Sequence, residues 1–168
     1  MAKAVEPLLK DPDGFTRADA AKALGVWGGR ENTPALVAGL KDPAFNVRWA
    51  VLDAIAALKD PAAAGPVAEF LGTNDRGKAS EALKKMGPAA EEVVLPYLNH
   101  ADVFTRMETA KILQVIGTQK SVPALQNLIR RTNGFGLDAM AAKEALQQIS
   151  INDPAPKKKG GLVPRSRR

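Results

Sequence analysis

The sequence predicts an all-α fold, an α-solenoid in which about five helix pairs stack into a right-handed superhelix. Three observations predict it. An arginine-anchored pattern recurs along the chain. The apolar positions after each anchor fall at helical offsets. A second, shorter apolar segment precedes every copy. Composition agrees: 45% of the residues are hydrophobic but only 5% aromatic, so the core is aliphatic and the helices, rich in alanine, pack closely.

The longer helix of each unit is read from its anchor. Arg17, Arg48, Arg76 and Arg106 precede Leu24, Ile55, Leu83 and Leu113 by seven residues, and the anchors lie 31, 28 and 30 residues apart. A fifth copy places Ala139 at the anchor position and Leu146 seven residues later. Small residues recur three and four places after the anchor (Ala20 and Ala21, Ala79 and Ser80, Thr109 and Ala110). An apolar residue recurs ten places after it (Trp27, Leu58, Met86, Ile116, Ile149). Offsets of 3, 4, 7 and 10 mark one buried helical face, and Gly28, Gly87 and Gly117 just beyond it mark the C-terminal cap.

The shorter helix of each unit is expected within Val5–Lys10, Pro34–Lys41, Pro66–Leu71, Glu92–Leu98 and Pro123–Ile129. Thr33-Pro34 supplies a cap followed by proline at the first helical position. Pro7 and Pro96 fall inside their segments, where the missing N–H should kink the helix or confine it to its last turn. Asp11-Pro12 and Asp42-Pro43 break the chain between helices. The organisation that follows is an array over residues 1–152, with units at 4–29, 33–58, 64–87, 91–117 and 121–150, and a basic tail over 153–168.

These units resemble HEAT repeats of the short bacterial kind found in phycobilin-lyase-type proteins. The resemblance rests on Leu40-Lys-Asp-Pro-Ala-Phe-Asn-Val-Arg48 and Arg17-Ala-Asp-Ala-Ala-Lys-Ala-Leu-Gly25, and it covers residues 4–150. An aspartate six residues before the arginine is met by Asp11 and Asp42; Phe70 and His100 stand at that place in the third and fourth units. The resemblance implies a protein-binding scaffold. It also brings in two rarer roles, assistance in cofactor attachment and DNA-glycosylase activity. The first unit begins on a short apolar segment without a polar outer face, which reads as a piece cut from a longer array or an end that packs on another element; a monomer or a fragment of a larger bacterial protein is expected.

The formal net charge of +6 suggests nucleic acid until it is located. Residues 157–168 hold six of the 24 basic residues and no acid, which leaves 18 residues of each sign elsewhere. A neutral body has no general attraction for phosphate. Leu162-Val163-Pro164-Arg165 resembles a thrombin cleavage site, so the tail, expected to be disordered, is either vector-derived or a native arm for an acidic partner. No cysteine is present, which excludes disulfide and thiolate chemistry, and no apolar run reaches the ~18 residues of a membrane span. Met1–Lys10 lacks the charged start and long apolar stretch of a signal peptide. A soluble, cytoplasmic protein without membrane contact is the expectation.

Two sets of residues are candidates for function. The arginine ladder is read as structural, each guanidinium held among turn carbonyls and Asp11 or Asp42. The outward face of the longer helices, at offsets 1, 2 and 5, is the concave side in HEAT arrays and the better site. It carries Trp49, Met107 and Met140 among Lys22, Asp53, Lys78, Glu81, Glu108, Lys111 and Glu144, with Ala18, Ala50 and Ala141 also placed there. A large aromatic and methionines on a mixed-charge surface suit a protein or peptide partner. The partner-binding set is therefore Trp49, Asp53, Met107, Lys111, Lys22, Glu81, Lys78 and Glu108. Trp49 and Asp53 are also weakly similar to the aromatic–carboxylate pair of HEAT-like alkylpurine DNA glycosylases, but those enzymes need a basic groove that a neutral body denies. His100 is the one histidine and is read as solvated; Glu91-Glu92 is read as a helix-dipole pair, and Arg130–Gly136 as an edge loop. No catalytic residue, metal site or cofactor is expected. The alternative to a non-enzymatic scaffold is nucleic-acid binding.

Overall fold

The computed structural model describes residues 1–154; from residue 155 onward the expected tail lies outside the described residues. Within them the chain is a succession of ten α-helices joined by 3₁₀ turns and short links, with no strand. The longer helices are α2 (Gly14–Trp27), α4 (Phe45–Leu58), α6 (Arg76–Met86), α8 (Val103–Ile116) and α10 (Leu137–Asn152). The shorter ones are α1 (Ala2–Val5), α3 (Thr33–Gly39), α5 (Ala64–Ala68), α7 (Glu91–Val94) and α9 (Val122–Arg131).

Proline shapes the shorter helices as the sequence predicts. Helix α1 passes at Glu6 into a 3₁₀ turn, Glu6–Lys10, that carries Pro7 near its start. Helix α7 passes in the same way into Leu95–Asn99, which carries Pro96. A proline ring cannot donate to the carbonyl four residues back and crowds it, so the chain tightens at that point. Helices α2 and α8 start on aspartate side-chain caps, whereas Asp75, at the start of α6, is taken by Arg48 and Trp49 instead. Asp13 accepts from the Thr16 N–H at 2.7 Å, and Asp102 from the Thr105 N–H at 2.9 Å.

The longer helices pack in sequence order, α2 on α4, α4 on α6, α6 on α8 and α8 on α10. Offset 3 (Ala20, Val51, Ala79, Thr109, Ala142) is buried throughout, and offset 7 is buried from Leu24 to Leu113. Small side chains let the axes approach: a Cβ on Gly25 would stand 2.9 Å from the Ala54 Cα, so α2 and α4 meet there backbone to backbone. Ala18, Ala50 and Ala141, expected to face outward at offsets 1 and 2, are buried instead, because those offsets abut the neighbouring helix of the stack. Trp27 departs in the other direction. Expected in the core at offset 10, it is 56% exposed at the end of α2.

Three further expectations change in detail. Of the cap glycines only Gly87 is left-handed (φ +78°). Gly28 and Gly117 are extended and are needed for another reason: a Cβ there would run into the carbonyl oxygens of Leu24 and Leu113. The edge loop is shorter than read, since Arg130 and Arg131 close α9 and the turn is made by Asn133, Gly134 and Gly136, all at positive φ. Glu91 is not a dipole partner on the surface. Its buried carboxylate accepts from the Thr118 N–H at 2.8 Å and the Ser121 hydroxyl at 2.6 Å, tying α7 to the link after α8.

The arginine ladder is structural, but its carboxylates come from the next unit rather than from the same one. Arg17 donates from Nε to Asp42 at 2.6 Å, Arg48 to Asp75 at 2.6 Å, and Arg106 to Asp138 at 2.7 Å; Arg76 reaches Asp102 through a terminal nitrogen at 2.7 Å. The carbonyls of the arginine's own turn take the remaining protons: Asp11 and Pro12 for Arg17, Asp42 and Pro43 for Arg48, His100 and Ala101 for Arg106. The Asp11 carboxylate instead accepts from the Asp13 N–H. Each guanidinium is therefore a bolt between stacked units, planar and multiply bonded in a way an ammonium could not match.

Candidate partner-binding surface

Helix α4 builds the centre of the candidate surface. Trp49, at offset 1 after Arg48, donates its indole N–H to the second oxygen of Asp75 at 2.7 Å, while Arg48 holds the first. Burial raises the Asp75 pKa, but the hydrogen bonds from Arg48 and Trp49 outweigh it and hold the carboxyl below its ordinary value. The indole is thus fixed along its N–H edge. Its ring meets Phe45 edge to face, with centroids 5.3 Å apart at 75°, and the residue remains 43% exposed.

One turn further, Asp53 pairs with Lys78 of α6 at 2.9 Å, and the Lys85 ammonium approaches to 3.9 Å. The hydrogen bond to Asp53 raises the Lys78 pKa, so this lysine is a fixed cation. Lys22, Trp49, Asp53 and Lys78 line a single open groove of about 310 Å³ together with Phe15, Phe45 and Asp19. Lys22 pairs with Asp19 at 2.9 Å. A second open hollow, about 600 Å³, continues from Asp53 and Lys78 past Ala56 and Ala57 to Lys59 and Lys85.

The other candidates gather one unit on. Met107 and Glu108 line a groove of about 350 Å³ with Phe104, Arg76 and Gly77. Met107 is half-buried against the core. Glu108 accepts from the Ser80 hydroxyl at 3.1 Å and pairs with Lys111 at 3.1 Å, which links α6 to α8. Glu81 lines neither groove and stays exposed, 3.5 Å from Lys78. The eight candidates thus fall into two clusters, Lys22, Trp49, Asp53, Lys78 and Glu81 on α2, α4 and α6, and Met107, Glu108 and Lys111 on α8.

Sequence reasoning missed Phe15, Phe45 and Phe104. They are 76%, 59% and 49% exposed and stand two or three residues before the anchors Arg17, Arg48 and Arg106, at the start of their helices. The same spacing, applied ahead of the anchor as well as after it, would have found them. Elsewhere, His100 accepts the Asp102 N–H on Nδ1 and braces that turn. Among the described residues no group of three or more His, Cys, Asp or Glu is placed to hold a metal ion, and no helix is long and apolar enough to cross a membrane.

Residues 2–83 match the family model of HEAT repeats. The solved structure of an engineered protein from the Northeast Structural Genomics Consortium superposes with a TM-score of 0.58, covering 90% of this chain and 80% of that one at 18% identity, a likeness of fold. No curated protein sequence matches the chain.

Proposed function

We propose that this HEAT-repeat protein is a non-enzymatic scaffold that binds another protein or peptide on its concave second-helix face, around Trp49, Asp53, Met107 and Lys111. The observation that carries the reading is the set of large apolar side chains left in water along the starts of α2, α4 and α8: Phe15, Phe45, Trp49 and Phe104. The aliphatic core is filled by other residues, and of the four only Trp49 is tied into the fold by a hydrogen bond, to Asp75. Exposed aromatics grouped over open grooves are what partner surfaces supply. Trp49 is also held in place before any partner arrives, which lowers the entropy cost of burying it. Catalysis has no support in the same place. Asp53, the carboxylate a base-excision reaction would use, is neutralised by Lys78. Around the aromatics, carboxylates (Asp19, Asp53 and Glu108) stand among the cations, unlike the continuous basic groove a nucleic-acid backbone needs. Binding here is complementarity of a rigid surface; no bond is made or broken.

The test is capture of partners from a lysate of the source organism by the full chain and by Phe15→Ala and Trp49→Ala variants. Phe15 is 76% exposed and lies outside the core, so its loss should leave the fold intact. At least one captured protein is expected to be lost or much reduced with both variants. Retention of every partner by both would refute the reading.

A further inference from the structure

We propose that the ligand of this face is an acidic segment: an apolar side chain seated against Phe45 and Trp49, and carboxylates seated over Lys59, Lys78 and Lys85. The inference rests on the binding reading above and adds the chemistry and spacing of what is bound.

The two hollows lie side by side along α4 and meet at the Asp53–Lys78 ion pair, which lines both. They differ in kind. The hollow toward the start of α4 has the exposed rings of Phe15, Phe45 and Trp49. The hollow toward its end has three lysines against the single carboxylate of Asp53. Only Lys78 is fully engaged by that carboxylate; Lys85 stands beyond hydrogen-bond distance, and Lys59 makes no ion pair among the described residues. The lining of this hollow is therefore in cationic excess, on a body with equal numbers of acidic and basic residues. Glu81 faces Lys78 at 3.5 Å from outside this lining, so the excess rests on Lys59 and Lys85. Lys59 sits at φ 51°, ψ 34°, a left-handed conformation that glycine or asparagine adopts at lower cost.

The geometry sets a spacing. From Trp49 to Lys59 is ten residues of helix, about 15 Å at 1.5 Å each. An extended peptide advances about 3.3 Å per residue, so an apolar anchor and its carboxylates should be separated by roughly four residues. Charge selects the class: a basic segment would meet three lysines, and a neutral one would leave the excess unanswered.

The experiment is fluorescence anisotropy of the full chain with labelled synthetic peptides. Each carries one leucine and a run of glutamates roughly four residues away, in both sequence orders, beside counterparts with lysine or serine in place of glutamate. One order of the acidic peptide is expected to bind, more weakly as salt rises. Its affinity should fall roughly tenfold with Lys85→Glu or Lys59→Glu and be lost with Trp49→Ala. Both lysines are exposed, so their variants should melt as the parent does; Trp49→Ala, which gives up its bond to Asp75, should melt lower but still in a cooperative transition, and binding is measured well below it. Absence of binding by either acidic peptide would overturn the inference, as would equal binding of the lysine peptide or indifference to Lys85→Glu. An oligothymidylate that displaces the acidic peptide and itself depends on Lys85 would overturn it in favour of nucleic acid. Should every peptide fail while Trp49→Ala and Phe15→Ala still lose a lysate partner, the inference falls and the scaffold reading stands.

Discussion

Replacing Asp75 by alanine probes the bolt between the second and third units. Asp75 is only 8% exposed, and both its oxygens are used, one by Arg48 at 2.6 Å and one by Trp49 at 2.7 Å. The variant removes two charge-assisted bonds, from Arg48 and from the Trp49 N–H to the same carboxylate, each worth about 1.5–3 kcal/mol. Arg48 keeps its two carbonyl acceptors, and its side chain is 22% exposed, so water recovers part of the loss. The expected destabilisation is about 3 kcal/mol. For a chain of this length each kcal/mol moves Tm by about 2–4 °C, so Tm should drop by about 6–12 °C. Melting followed by far-UV circular dichroism measures it. The transition should also broaden, because a repeat array owes its cooperativity to the interfaces between units. Asp19→Ala, which breaks the exposed pair with Lys22, is the control and should change stability by no more than about 0.5 kcal/mol. A drop below about 4 °C for Asp75→Ala would place the pair with ordinary surface ion pairs, worth about 0–1 kcal/mol, and refute the reasoning.

Acid should loosen the same bolts. Asp42, held low chiefly by the Arg17 hydrogen bond, Asp75, where Arg48 and Trp49 overcome burial, and Asp102, held low chiefly by the Thr105 hydroxyl, all have depressed folded pKa values. A depressed carboxyl stabilises the fold above its unfolded pKa of about 3.9 and loses that contribution as pH falls through the folded value. Tm should therefore hold steady down to about pH 4 and fall below it, less steeply in Asp75→Asn; an equally steep fall in the variant would count against the ladder. Glu91→Ala should cost about 2–4 kcal/mol, since it strands the buried Ser121 hydroxyl and the Thr118 N–H, and Glu91→Gln should cost less. The denaturation midpoint in urea decides, and near-equal midpoints for alanine variant and parent would return Glu91 to the surface role its sequence position suggests.

The candidate surface was half legible. Offset 5 lies opposite the buried face, and Lys22, Asp53, Glu81 and Glu144 are exposed there, while Lys111 is part-buried. Offsets 1 and 2 lie on the flank, where the outcome depends on the neighbouring helix. Trp49 stays half in water there, Met107 is part-buried, and Ala50 vanishes into the stack. The aromatic starts of α2, α4 and α8 escaped because a large apolar residue beside a periodic pattern reads as core, whereas leucines and alanines already fill this one.

Helix pairs, their register, the proline-tightened short helices and the neutral charge of the body are properties of the sequence itself. They follow from interactions within a few residues: the 3.6-residue period, caps, and the missing N–H of Pro7 and Pro96. The ladder's partners were decided only by the stack. The carboxylate that meets each arginine stands six residues before the next anchor position at Asp42, one before at Asp75, four before at Asp102 and one before at Asp138. No fixed spacing describes them, because links of different length bring the charge to the same point in space. Which lysines converge beside α4, and which rings remain in water, is settled in the same way, by contacts between residues some 25 or more apart along the chain.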